Sequence, residues 1–206
     1  MKRSSTDRKG ADAPAPDAAD VRERILQTAS ELFYREGVRA IGVDLIVERA
    51  GVAKTSLYRH FGTKDDLIAA FLRREDEDFW RLWDGVAARH ADDPVQELEA
   101  QLRWIGARIA RPGYRGCPQL NVAAEFADAE HPARVVATAH KNDMRRRLAD
   151  IARRLGVRRP DDLANQLWLV IDGAFMSAPL LAKEGPTRIL LATARALVAG
   201  AGSAAA

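Results

Sequence analysis

Apolar side chains recur at helical intervals from the first patterned stretch onward. Val21, Ile25, Ala29, Leu32 and Phe33 share one face, and Gly37 ends the run. Asp20 stands where it would cap that helix, with Glu23 at capping-box spacing. A second helix begins near Val43 or Asp44, turns Leu45 and Ile46 inward and ends at Ala50. Gly51 supplies the next turn, because glycine adopts positive φ without a Cβ clash. A third, short helix covers residues 54–61, and Val52 and Leu57 can pack back on Ile46 and Ala50. Thr63 is the expected cap of a fourth, whose positive end suits Asp65 and Asp66. Leu67, Phe71, Phe79, Leu82 and Val86 form a long stripe along it. The charged residues 73–78 between them read as a solvated face.

Past Asp92-Asp93-Pro94 the same period returns. Val95, Leu98, Leu102, Ile105 and Ile109 predict a fifth helix, broken at Arg111-Pro112-Gly113. A sixth holds Val122, Ala123 and Phe126 and ends before His131-Pro132. A seventh, residues 133–155, carries Val136, His140, Met144, Leu148, Ile151 and Leu155 on one side, and Gly156 closes it. An eighth starts at Asp161 or Asp162 with Leu163, Leu167, Val170, Ala174 and Ala178 inward. Gly185-Pro186 separates it from a ninth with Ile189, Leu190, Leu197 and Val198. No stretch alternates as a strand does, and no repeat is visible. The expected fold is all-α, about nine helices, with a small three-helix N-terminal module and a larger helical body.

Residues 1–19, rich in Ala, Pro, Asp and basic side chains, are expected to be disordered. Lys2, Arg3, Arg8 and Lys9 there make either a solvated tail or an arm for DNA, and the tail is the plainer reading. A net charge of +3 over 206 residues does not by itself argue for nucleic acid. The local clustering does: Arg49, Lys54, Arg59 and Lys64 follow one another with no acid between. One cysteine, Cys117, excludes an intrachain disulfide framework and fits a reducing cytoplasm. No apolar run approaches bilayer-spanning length, and the basic N-terminus lacks the apolar core of a signal peptide. No membrane partner is expected.

The third helix turns Lys54, Thr55, Ser56, Tyr58 and Arg59 outward, a basic, hydroxylic and aromatic face suited to a major groove. The block AGVAKTSLYRHFGTKDDL, within residues 21–72, strongly resembles the tetracycline-repressor (TetR) family of transcriptional regulators. The resemblance implies a helix-turn-helix domain at 20–65, a ligand-binding and dimerisation domain at 66–200, and a flexible tail at 201–206. It implies a homodimer on a double-stranded palindromic operator, released by a small organic effector. Lys54, Thr55 and Ser56 are then candidates for base edges, and Tyr58 for stacking or a thymine methyl. Arg59, His60 and Lys64 match family positions that contact phosphate. Gly42 and Ala53 depart from the pattern: family members often carry Ser or Thr there.

In the body, Trp80, Trp83, Trp104 and Trp168 join Phe79, Ile105, Phe126, Phe175 and Met176 in a set that reads as plain core or as the lining of an apolar ligand cavity. Asn121, Glu125, His140, Asn165 and Asp172 are candidates to orient that ligand. Glu125, Asp128 and His131 have a metal-compatible spacing, but carboxylates before a helix-ending His-Pro are common, and no metal or cofactor is expected. Cys117 beside Arg115 reads as buried and inert rather than reactive. The arginines at 145–147, 153–154 and 158–159 could make a second DNA surface, but the resemblance implies that the seventh helix belongs to the regulatory body, so a solvated face snorkelling over the core is the preferred reading. Gly173, Ala174, Ser177 and Ala178, with Ile189, Leu190 and Leu197, form a small-residue and apolar surface expected to pair two chains in a four-helix bundle.

No glycine-rich phosphate loop, nucleophile elbow or Cys/His metal spacing supports catalysis. The other readings are a helical enzyme using the aromatic cavity and a helical adaptor that binds protein.

Overall fold

The computed structural model describes residues 18–181 and 185–202. The expected N-terminal arm therefore lies outside the described residues. Within them the chain forms α1 (Ala18–Glu36), α2 (Val43–Ala50), α3 (Lys54–Phe61), α4 (Lys64–Ala87), α5 (Pro94–Ile109), α6 (Pro118–Glu125), α7 (Pro132–Arg154), α8 (Pro160–Ser177) and α9 (Pro186–Gly200), with a short 3-10 turn at Ala88–His90. No strand occurs among these residues.

Helix starts follow local chemistry. Thr63 caps α4 with a reciprocal capping box to Asp66, as its sequence position predicts. Five helices, α5 to α9, open on a proline rather than after it. The first helical residue needs no N–H donor, and proline's fixed φ suits that position. The predicted cap of α1 is corrected. The helix begins at Ala18, inside the segment expected to be tail, and Asp20 sits in its first turn. Glu23 pairs with Arg74 of α4 instead of closing a capping box. At the other end, the Gly202 carbonyl accepts from the Arg158 amide, so Ala201 and Gly202 join the body.

Two cores share α4. Ile25, Phe33, Ile46, Leu57 and Phe61 form the head core with Leu67, Ile68, Ala70, Phe71 and Leu72 of α4, and Val122, Ala133 and Ala137 from α6 and α7 complete it. Phe79, Trp80, Trp83 and Val86, about two to four turns further along α4, belong to or flank the body core made with α5, α7, α8 and α9. Leu82, expected in the same stripe, faces out. The charged run between the cores is not simply a solvated face. Arg74 reaches Glu23 and Gln27 of α1, Glu75 pairs with Arg108 of α5, and Asp76 accepts from Trp80 and meets His140 of α7. At this waist polar pairs link α4 to α1, α5 and α7.

Candidate nucleic-acid interface and its link to the body

The turn before α3 is built on Gly51, at φ 64°, whose amide donates to the Glu48 carbonyl while Val52 N–H reaches Val47. Leu57 and Phe61 are buried against α1, α2 and α4, which fixes the roll of α3. Lys54, Thr55, Tyr58 and Arg59 point outward, Tyr58 being 43% exposed. Ser56 and Lys64 are half-buried. Neither Gly42 nor Ala53 gives a side-chain cap, so amides at the starts of α2 and α3 are left for a phosphate.

Two members of this face differ from expectation. The Lys54 ammonium lies 2.7 Å from Asp44 of α2, whose hydrogen bond and charge raise its pKa. His60 is half-buried, with Nε2 enclosed and unpaired, so a phosphate would have to meet Nδ1. Sequence spacing concealed the first because Asp44 and Lys54 meet only through the fold.

The predicted ligand-cavity residues do not line one space. Trp80, Trp83 and Phe175 pack with Phe79 and Trp104 as a ring cluster, and Ile105 is fully buried in the same core. Trp168 is half-buried beneath Arg145, and Met176 is exposed. His140 Nδ1 stands 2.7 Å from Asp76. Burial lowers its pKa, against the pull of that carboxylate. Asp172 is paired at 2.7 Å with the buried Lys141, and burial raises the Asp172 pKa. The space touching this cluster is a slot of about 10 Å³ bordered by Glu75, Phe79, Arg108, Tyr114, Cys117, Gln119, His140 and Phe175. The ring set is therefore mainly core, and Tyr114, Gln119, Glu75 and Arg108 are the slot residues that sequence reading missed. Gln119 and Gln101 carried a signal: each is an amide in an otherwise apolar setting, and each donates to a buried carbonyl of α4.

Asn121, Glu125 and Phe126 sit at the junction of head and body instead. The Glu125 carboxylate accepts from the Val38 and Arg39 amides, at 3.2 and 2.9 Å, in the loop between α1 and α2. Gly37, at φ 90°, lies so near that a Cβ there would come within 3.2 Å of Glu125. Phe126 stacks on His131, and the Arg39 guanidinium lies over the Phe126 ring, 5.3 Å from its centroid. His131 caps α7 and stands 3.4 Å from Asp65 at the start of α4. Tyr34 of α1 accepts from Arg115 N–H and donates to the Gly116 carbonyl. Asn121 donates to the Arg115 carbonyl. A cleft of about 430 Å³ opens beside these contacts. Glu125, Asp128 and His131 are thus occupied with backbone, and no metal-like cluster occurs among the described residues.

Residues 25–71 match the family model for bacterial regulatory proteins of the tetR family, and residues 94–194 match the model for the tetracyclin repressor-like C-terminal domain. The chain belongs to the TetR family. It is 35% identical to a TetR-type regulator of Streptomyces avermitilis of known structure, at a TM-score of 0.76 over 88% of this chain and 97% of that one. It is 29% identical to the TetR-family regulator SCO4454 of Streptomyces coelicolor, with a TM-score of 0.85 over 90% and 97%. It is also 28% identical to the transcriptional regulator AcuR of Cereibacter sphaeroides, over 87% of this chain and 85% of that protein. A TetR-family chain is a DNA-binding transcriptional regulator, not an enzyme.

Within the TetR frame the outer surface of α8 and α9 is the remaining functional candidate. Leu169 on α8 and Leu180, in the turn just past its end, are 67% and 87% exposed, with Gly173 and Met176 on the same side of α8 and Ile189 exposed on α9. Ala174, Ser177 and Leu197 are half-buried. Ala178 and Leu190, each 2% exposed, belong to the chain's own core and are removed from the expected partner surface. No helix among the described residues is long and apolar enough to cross a membrane.

Proposed function

We propose that this chain acts in the cytoplasm as a homodimeric repressor whose hold on a palindromic operator is released by a small organic effector. The observation that carries the reading is α3: an eight-residue helix rolled by Leu57 and Phe61 so that Lys54, Thr55, Tyr58 and Arg59 face outward together. In the dimer, two such helices enter successive major grooves about 34 Å apart. Lys54, Thr55 and Ser56 read base edges, Tyr58 meets a thymine methyl, and Arg59, His60 and Lys64 hold phosphates. The apolar outer side of α8 and α9 supports pairing there, because exposed Leu169, Leu180 and Ile189 gain by burial.

Effector release runs through the waist and junction. An effector in the body shifts α4 and α6, and the Glu125, His131 and Tyr34 contacts carry that shift to the head. The ligand works only by its differential affinity for the two head spacings. Footprinting of the DNA upstream of the chain's own gene tests the reading. It predicts a protected inverted repeat occupied by two chains. Protection of a single, asymmetric half-site by one chain would overturn the dimer.

A further inference from the structure

We infer that the effector is a small aromatic hydroxyl compound, its hydroxyl seated in the slot lined by Tyr114 and Gln119. This rests on the effector reading above and adds the chemistry of the site. Gln119, 2% exposed on α6, commits its Nε2 to the Leu72 carbonyl at 2.9 Å. That bond fixes the amide, and its Oε1 is left buried without a partner. The Tyr114 hydroxyl is also buried without a partner. Burial raises its pKa, which keeps it a neutral donor. Buried polar atoms are seldom left unpaired, so two on one slot mark a place for a polar group.

The slot's volume, about 10 Å³, admits one water or one hydroxyl. Of the groups that fit, a hydroxyl gives Gln119 a donor and Tyr114 an acceptor at once. A carboxylate has no proton for Gln119, and an ammonium has no lone pair for the Tyr114 hydroxyl. Glu75, Arg108 and Tyr114 of the slot also border an outer cleft of about 370 Å³, which places room for a ring next to the hydroxyl seat. That cleft adds Tyr34 and the exposed Leu82, together with the charged Asp78, Arg81 and Arg111. Ring faces, an apolar edge and planar cations accept a flat aromatic ring.

Calorimetric titration of the full chain with p-cresol and with 4-methylanisole, the same ring with its hydroxyl capped, tests the inference. The inference predicts that p-cresol binds about tenfold more tightly, the worth of a hydrogen bond to an otherwise unpaired buried group. Gln119→Met and Tyr114→Phe should each erase that advantage and leave 4-methylanisole unchanged, with circular dichroism melts confirming the fold of both variants. Equal affinity for the two compounds, or p-cresol binding indifferent to both variants, overturns the inference. So does binding of neither compound, which would mean that the slot holds a water only. Operator binding in the same samples separates the two readings. If 4-methylanisole releases DNA as well as p-cresol does, the effector switch stands and the hydroxyl seat falls. If p-cresol binds as expected yet DNA affinity is unmoved, the seat stands and the switch falls.

Discussion

The residue that sets the chemistry of the α3 face is Asp44 as much as Lys54. Their ion pair lies on the surface, where solvent screens it. On DNA it sets a carboxylate against phosphates. Asp44→Asn should therefore tighten operator binding and steepen its dependence on salt, because a negative charge facing the phosphates is removed and Lys54 is freed to meet a base edge. Fluorescence anisotropy across a salt series measures both, and weaker binding would show that Asp44 positions Lys54 productively. Deeper in the body the balance reverses. Lys141 and Asp172 are both largely buried, so removing one partner leaves the other's charge without compensation. Lys141→Met should destabilise the fold by about 3–5 kcal/mol in urea unfolding. A loss under about 1 kcal/mol would mean that Asp172 takes up a proton at little cost, as the upward direction of its pKa allows. Neither pair was visible in the sequence, since ten and thirty-one positions separate partners that only tertiary packing brings together.

Among the elements, helix type and order were legible because each helix carries its own period and stop signals. Boundaries were less so, and in a regular way: proline was read as the end of a connection before α5, α7, α8 and α9, and each of these takes it as its first residue. The charged stretch of α4 looked solvated because hydropathy sees one helix at a time, and α1, α5 and α7 supply its partners. The short α6 was the least informative element in sequence and is the main tie between body and head. Its Glu125 holds two amides of the α1–α2 loop, a charge-assisted arrangement that a glutamine can meet only in part. Glu125→Gln should speed hydrogen exchange at the Val38 and Arg39 amides by about tenfold, taking about 1.5 kcal/mol for the lost bonds to a charge. Unchanged exchange would place the coupling in the apolar contacts of Val122, Ala133 and Ala137 instead.

For the whole molecule, the family block made the DNA-binding head legible, since recognition by a helix face is a local property of eight residues. The candidate effector site was not, because it depends on which buried polar atoms fail to find partners. The aromatic set at 79–104 could be read as plain core or as a cavity wall, and the structure shows mutual packing, with Phe79 in contact with Trp80, Trp83, Trp104 and Phe175. The outer face of α8 and α9 makes a prediction at this scale. A chain ending before Pro186 should sediment as monomer or aggregate, because it loses Ile189 from that face and Leu190 and Ala194 from the body core. Leu169→Glu with Leu180→Glu, which leaves the core intact, should give a folded monomer, and a folded dimer from that variant would move the interface elsewhere.

The central claim is that α3 reads DNA, and one binding experiment tests it most directly. The full chain is titrated into a labelled duplex from its own upstream region, against a scrambled duplex, with wild type and Tyr58→Ala compared by anisotropy. Tyr58 is exposed and contributes little to the core, so its removal spares the fold. The account predicts salt-dependent, sequence-specific binding by wild type and a loss of about 1–3 kcal/mol at the specific duplex for Tyr58→Ala, with non-specific binding nearly unchanged. Specific binding undiminished by Tyr58→Ala would contradict it.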